Sequence, residues 1–354
     1  GKIIKKFHYL PLFVTFVPAI WKNLLMDNNI EGSWLVVVNP HAGGGRTALE
    51  WKRIEKLLND RNVPYEARMT DCKLHATQMA FEAARDGYRR FIAVGGDGTI
   101  HEVLGGVMLY LDSFTPAPEA VRPSLNDFFL AVIPVGSGND WIRVHGVSGD
   151  VEDTLGLILS ESFAAQDVVR VTCEGGRSYM MNIGGVGFDA RVCERVNRRK
   201  DAGRRGRLLY IWSLIYNFLH YKSSPTEVFL DGRRVYSGNC FSVAVGTGRY
   251  SGGGLRQTPD ALTDDGLSDV TVIPPLPFLK IACEVRRLFD GTFTKVKDLV
   301  IGRGRTVTVK PLGPKAEIVE VDGEIIGRIP AVFEVLPERI NVLHRFPSAA
   351  LQSR

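Results

Sequence analysis

The residues of this sequence that could do chemistry gather in three glycine-rich turns. Asn39 precedes Gly43 and Gly44 in "NPHAGGGR"; Gly95, Gly96, Asp97, Gly98 and Thr99 form "GGDGT", followed by Ile100 and His101; Gly136 and Ser137 lie in "PVGSGND". Singly, each is the turn that any strand and helix need, because Gly and Asp make turns. Together they offer backbone N–H groups at helix starts with few side chains in the way, the setting in which phosphates are held. Asp97 would repel a phosphate unless a Mg²⁺ lay between them, and phosphoryl transfer uses such a cation to bridge the terminal phosphates. Competing chemistries lack their residues: there is no GxxxxGK[ST], no GxGxxG after a strand, and no HExxH among seven histidines. Cys72, Cys173, Cys193, Cys240 and Cys283 are odd in number, scattered and free of CxxC. That usage predicts a reducing, cytoplasmic setting without a disulfide framework or a cysteine zinc site.

Short alternating elements must position these turns. "SWLVVVNP" reads as a buried parallel strand ended by Asn-Pro, and "TALEWKRIEKLLND" as a helix with Thr47 and Glu50 at capping-box spacing. "YEARMT", ending on Thr70, is a second strand and "HATQMAFEAARDG" a second helix. "RFIAV" is a third strand, with Thr99 and Glu102 repeating the capping-box spacing, and "FFLAVIP" a fourth. Such alternation predicts a parallel sheet with crossover helices, whose ligands sit at the carboxyl ends of the strands, where all three turns fall. After about residue 165 the rhythm changes to strand-like runs, two containing Asp-Gly hairpin signals. Only "RLLYIWSLIYNFLHY" and "PFLKIACEVRRLFDG" look helical there. The expected fold is α/β: an apolar extension over 1–30, a parallel-sheet nucleotide domain over 31–165, and a mostly antiparallel β domain over 166–354. A cleft lies between the two, and the C-terminal tail is free to return to the first domain.

The 354 residues suit two domains, and 45% hydrophobic with 23% charged residues is ordinary for a globular chain. A net charge of +5 fits an anionic ligand or membrane surface without demanding either. Phe7 to Trp21 is apolar, follows Lys2, Lys5 and Lys6, and is interrupted by Pro11 and Pro18. It is short of the roughly 20 residues of a membrane span and lacks a signal-peptide cleavage site. An interfacial anchor, a segment packed on a domain, and sequence upstream of a start at Met26 remain the alternatives. Arg198, Arg199, Lys200, Arg204, Arg205 and Arg207 adjoin an aromatic apolar run. Such a cluster suits an anionic membrane surface, or else is an exposed loop before a buried helix. Nucleic acid is not indicated, since the basic residues lie in one run rather than across a face.

"GGDGT" at 95–99, "PVGSGND" at 134–140, "NIGGVGFDA" at 182–190, "GGGLRQTPDALTDDGLSDV" at 252–270 and "EVDGE" at 320–324 together resemble the diacylglycerol kinase catalytic family. The likeness runs in the family's order from about Leu35 onward and is nearest to its soluble bacterial lipid kinases. It implies ATP as donor and a lipid hydroxyl as acceptor at a membrane surface, with diacylglycerol or a relative converted to phosphatidic acid. It implies that Asn39, the glycines after it, Thr70, Gly95 to His101, Gly136 and Ser137 line the nucleotide. It implies a structural Mg²⁺ held by the carbonyls of Leu262 and Leu267 and the carboxylate of Asp265. Glu324 matches the family's general base, with Asp322 beside it and Asp97 positioning the cation or acceptor; by themselves "TDDG" and Asp322-Gly323 are turns. His101 stands where the family commonly has Asn, and "SGNDWIR" departs from its usual Thr and Phe-Ala, although Ser137 keeps a hydroxyl. The alternatives are an NAD kinase-like enzyme, since "GGDGT" is shared with that class, and a non-catalytic lipid or nucleotide sensor. Homodimerisation is left open.

Overall fold

A computed structural model of the protein describes residues 30, 32–114, 122–136, 138–201, 216–218, 220–277, 284 and 286–346. The apolar stretch 7–21, Ser137, the basic residues 204, 205 and 207, and most of the two helical runs expected after residue 205 lie outside the described residues. Four parallel strands begin the chain: β1 (Trp34–Val38), β2 (Tyr65–Met69), β3 (Arg90–Gly95) and β4 (Phe129–Pro134). β1 is buried at every position, which is why it reads as an unbroken apolar run rather than an alternation. Between the strands run α1 (Arg46–Asp60), α2 (His75–Asp86) and α3 (Asp97–Ser113). Trp51, Ile54 and Leu58 bury one stripe of α1, and α2 ends on Gly87 at φ 111°.

Neither expected capping box forms. α1 starts from Gly45 in the left-handed region, and the Thr47 hydroxyl donates instead to the Ala42 carbonyl at 3.3 Å. α3 starts from Gly96, so Thr99 already lies in its first turn and the Glu102 carboxylate reaches across to the Ala76 N–H at 3.3 Å. In both cases glycine takes the cap position and frees the Thr side chain to tie one segment to another. α2 and α3 pack at close range through Gly106, where an added Cβ would lie 2.3 Å from the Thr77 carbonyl oxygen. Gly106→Ala should therefore destabilise the fold by about 1–3 kcal/mol through overpacking. Gly105→Ala, whose Cβ would meet Thr77 only at 3.7 Å, should hold or raise stability; urea unfolding of the pair checks both.

α4 (Asp140–Val144) and α5 (Val151–Leu159) lead into the second half. Its strands are β5 (Phe163–Cys173), β6 (Gly176–Met180), β7 (Ile183–Gly187), β8 (Ser224–Leu230), β9 (Arg233–Cys240), β10 (Ser242–Gly246), β11 (Ser268–Ile273), β12 (Val300–Gly304), β13 (Thr306–Pro311), β14 (Ile318–Val321), β15 (Glu324–Arg328) and β16 (Ala331–Leu343). Six form an antiparallel sheet in the order β12-β11-β10-β7-β14-β15. The others extend the parallel sheet into one of ten strands, β2-β1-β3-β4-β16-β13-β8-β9, with β5 on β16 and β6 on β5. Val171, Met180, Val186, Val228, Val243, Val270, Val307, Val319 and Phe333 form the core these strands share. A further helix, α6 (Phe188–Asp201), follows β7; it was not expected from the sequence. Its Phe188, Val192 and Val196 are buried together.

Candidate active site

The carboxyl ends of β1, β3 and β4 lie side by side, and the glycine-rich turns knit there. Asn39 donates its N–H to the Val94 carbonyl at 3.0 Å and its Nδ2 to the Thr99 hydroxyl at 3.1 Å. Gly95 admits no side chain, because a Cβ would stand 2.3 Å from that hydroxyl. Gly43, Gly44 and Gly45 all have positive φ, and a Cβ on Gly43 would press to 3.2 Å from the Val135 carbonyl. Thr70 is buried at the end of β2, its N–H bonded to the Val38 carbonyl at 2.9 Å. Gly98 lies in the first turn of α3, and Ile100, 3% exposed, faces the core, leaving only its backbone for a ligand.

Asp97 turns inward. Its carboxylate accepts the N–H groups of Asp140 at 3.0 Å and Trp141 at 3.3 Å, stitching the "GGDGT" turn to the start of α4. Burial pushes its pKa up to about 6, against the pull of those two N–H groups and with the help of the nearby Asp140 and Asp322 charges. Asn139, at φ 49°, leaves Oδ1 buried without a partner among the described residues, between Gly136 and Gly96; a Cβ on these glycines would lie 2.7 Å and 3.6 Å from it. This open acceptor, set among turns cleared of side chains, fits a nucleotide bearing N–H and O–H donors.

The "EVDGE" segment is a tight hairpin between β14 and β15, with Asp322 at φ 48° and Gly323 at φ 87°. The turn and the proposed chemistry occupy the same residues. The Asp322 carboxylate accepts the N–H groups of Met181 and Asn182, both at 3.1 Å, and its Oδ2 lies 3.4 Å from His101 Nδ1. Burial lowers the His101 pKa, but the hydrogen bond and charge of Asp322, with Glu324 and Glu102, outweigh it and the net direction is up. Glu324 receives Lys73 Nζ at 2.6 Å from the loop after β2. Gly253 donates its N–H to Asp140 at 2.7 Å. His101–Asp322 and Lys73–Glu324 thus join the two halves of the chain, as does the Asp140–Gly253 bond beside Asp97.

Lys73 and Asn139 are absent from the residues singled out in the sequence. The signal for Lys73 was its place three residues after Thr70, at the carboxyl end of a predicted strand. Asn139 stood inside the quoted "PVGSGND", beside Gly136 and Ser137.

Leu262, Asp265 and Leu267 do not join this group through any hydrogen bond between described residues. Oxygen ligands suit a hard cation, but the Asp265 carboxylate is already engaged: it pairs with Arg303 and accepts the Leu267 N–H at 3.1 Å. Arg303 also reaches Asp269 at 2.8 Å, so a guanidinium supplies the positive charge between two carboxylates. Among the described residues no three His, Cys, Asp or Glu side chains are arranged to hold a metal. In this fold the Mg²⁺ expected between Leu262, Asp265 and Leu267 would have to displace the Arg303 guanidinium from the Asp265 carboxylate. Asp265→Ala should therefore lower thermal stability in a way that added Mg²⁺ leaves unchanged; recovery of stability and activity with excess Mg²⁺ would restore the cation.

Comparison with known proteins accords with this geometry. Residues 33–171 match the diacylglycerol kinase catalytic domain, and residues 183–344 match the YegS C-terminal NAD kinase beta sandwich-like domain. A Stenotrophomonas maltophilia protein named "Probable lipid kinase YegS-like" is 27% identical over 87% of this chain and 95% of its own. One of the same name from Xanthomonas campestris is 26% identical over 76% and 82%. The crystal structure of a Bacillus anthracis diacylglycerol kinase superposes with a TM-score of 0.65 at 23% identity, covering 90% of this chain and 98% of that one, and shows the shared fold. The chain thus carries a diacylglycerol kinase catalytic domain, of the class whose kinases use ATP, followed by a YegS C-terminal domain. That pairing of domains is the one of YegS-like lipid kinases. Among the described residues no helix is long and apolar enough to cross a membrane.

Proposed function

We propose that the protein transfers the γ-phosphoryl group of ATP to the free hydroxyl of diacylglycerol or a closely related lipid, giving phosphatidic acid or its analogue. The observation that carries this reading is the approach of the Asp322–Glu324 turn to the glycine-rich turns, through the Lys73–Glu324 and His101–Asp322 pairs. When bound, ATP with its Mg²⁺ supplies the phosphoryl group and neutralises charge on the phosphates. The chain's part is to hold and orient. The Asn39–Gly45, Gly95–His101 and Gly136–Asn139 turns receive the nucleotide, and Asp97 keeps two of them in register. The acceptor oxygen bonds to the γ-phosphorus as the bond to ADP breaks, and the hydroxyl proton passes to Glu324. That step needs Lys73 to yield its hold; both partners are partly exposed, so the pair is weak. The protein works in the cytoplasm, bound peripherally to the membrane that carries its acceptor.

The test is incubation with labelled ATP and a total lipid extract, followed by mass spectrometry of the labelled product. A labelled phosphatidic acid is expected. NADP formation with no labelled lipid would favour the NAD kinase-like alternative, and no turnover at all would favour a sensor.

A further inference from the structure

The described residues hold a cavity of about 620 Å³ away from the turns above, lined by one flank of α6, Tyr216, Asn217, His220, Tyr221, Lys222 and Lys315. Its volume lies in the range of small-ligand sites, about 300–1,000 Å³. Six cations line it, and three of them are already balanced. Glu317, itself buried, binds Arg191 at 3.3 Å and Lys315 at 2.7 Å, and Glu194 binds Arg198 at 2.7 Å. Arg195, Arg199 and Lys222 meet no carboxylate among the described residues. Arg195 is held in place by stacking, its guanidinium 3.6 Å from the centre of the Tyr216 ring. The Tyr221 ring lines the cavity beside Lys315, whose Nζ stands 5.5 Å from the ring centre.

Fixed cations in excess around one concave space describe a site for an anion with several acceptor oxygens. We propose that this cavity binds a phosphate group, carried by an anionic phospholipid headgroup or by a soluble phosphate ester. The site stands apart from phosphoryl transfer: its residues belong to none of the turns assigned to the nucleotide or the acceptor. Its test reads binding, so it holds or fails separately from the kinase reading.

The probes are phosphatidylcholine vesicles with and without phosphatidylglycerol, read by sedimentation, and glycerol 3-phosphate, read by calorimetry. One cation near an anionic surface is worth roughly fivefold in binding, so Arg195→Gln/Lys222→Gln should weaken the interaction by about 20- to 30-fold. Arg199→Gln alone should weaken it about fivefold. The control Arg233→Gln/Arg305→Gln removes the same charge from exposed positions elsewhere and should bind like the parent. Vesicle binding that these cavity variants reduce supports a headgroup as the source; glycerol 3-phosphate binding that they reduce supports the soluble ester. Binding of neither probe, cavity variants equal to the parent, or a control that loses as much as they do would overturn the proposal.

Discussion

Turnover of the Glu324→Gln protein falls by about 10²–10⁴-fold while its affinity for ATP stays near the parental value. An alcohol is a poor nucleophile at neutral pH, yet phosphoryl transfer passes through a loose transition state in which the proton leaves late. A positioned carboxylate can accept it without unusual basicity. Gln keeps the size and hydrogen-bonding reach of Glu324 but takes no proton, so the loss belongs to kcat and spares nucleotide binding. Breaking the Lys73 contact is a separate effect. Lys73→Met removes the same 2.6 Å ion pair while leaving the carboxylate, and an exposed pair of this kind is worth about 0–1 kcal/mol. Steady-state kinetics of both variants separates a base from a mere tether. Near-parental turnover in Glu324→Gln would make the Asp322–Gly323 turn a hairpin and nothing more, and Asp97 the better candidate for the base.

Asp97→Asn has a different signature: activity is lost while stability at neutral pH is held or gained. The ionised carboxylate bonds two backbone N–H groups of α4. Hydrogen bonds to a charged group are worth about 1.5–3 kcal/mol, so kcat/KM for ATP should fall by roughly ten- to a hundredfold as the turns lose register. The stability effect follows from the pKa of about 6, raised by burial. A raised carboxyl pKa means that the folded protein binds the proton more readily than the unfolded chain. The stabilisation it brings is complete below the unfolded value and is lost as pH rises through about 6. Asn imitates the protonated form at every pH, so the variant should unfold with a flatter pH dependence between about pH 4 and 7. Thermal unfolding across that range, with ATP KM measured at its upper end, checks both halves. An unchanged KM would show that Asp97 does not hold the nucleotide turns.

The strand-turn-helix rhythm of the first half was legible because its signals are local: apolar runs, a glycine-rich turn after β1, β3 and β4, and apolar residues at helical spacing. The same kind of signal was present and unread in α6, where Phe188, Val192 and Val196 recur every fourth residue. The glycines of "NIGGVG" and the dense charge of "CERVNRRKD" hid it, and the stretch looked like a basic loop. α5 likewise carries Val151, Leu155 and Ile158 on one face, with Asp150 capping its start through the Asp153 N–H at 2.9 Å. The pairs that link the candidate site were illegible for another reason. Lys73 with Glu324, His101 with Asp322, and Arg303 with Asp265 join residues distant in sequence, and charge type alone does not say which partner each will find. Arg303 matters most, because without it "LTDDGL" looks like a loop awaiting a cation.

β16 is the last strand among the described residues but lies in the middle of the ten-stranded sheet, parallel to β4 on one side and antiparallel to β13 on the other. During synthesis the growing chain therefore presents β4 as an open edge, with unpaired backbone groups facing water, until β16 has emerged. Such an edge is a template for pairing with the wrong chain, and closing it waits on the longest-range contact in the sheet, which slows folding. A chain stopped before Ala331 would leave β4 and β13 unpaired on the sides that β16 fills, so such a truncation should collect as aggregate rather than as a smaller folded protein.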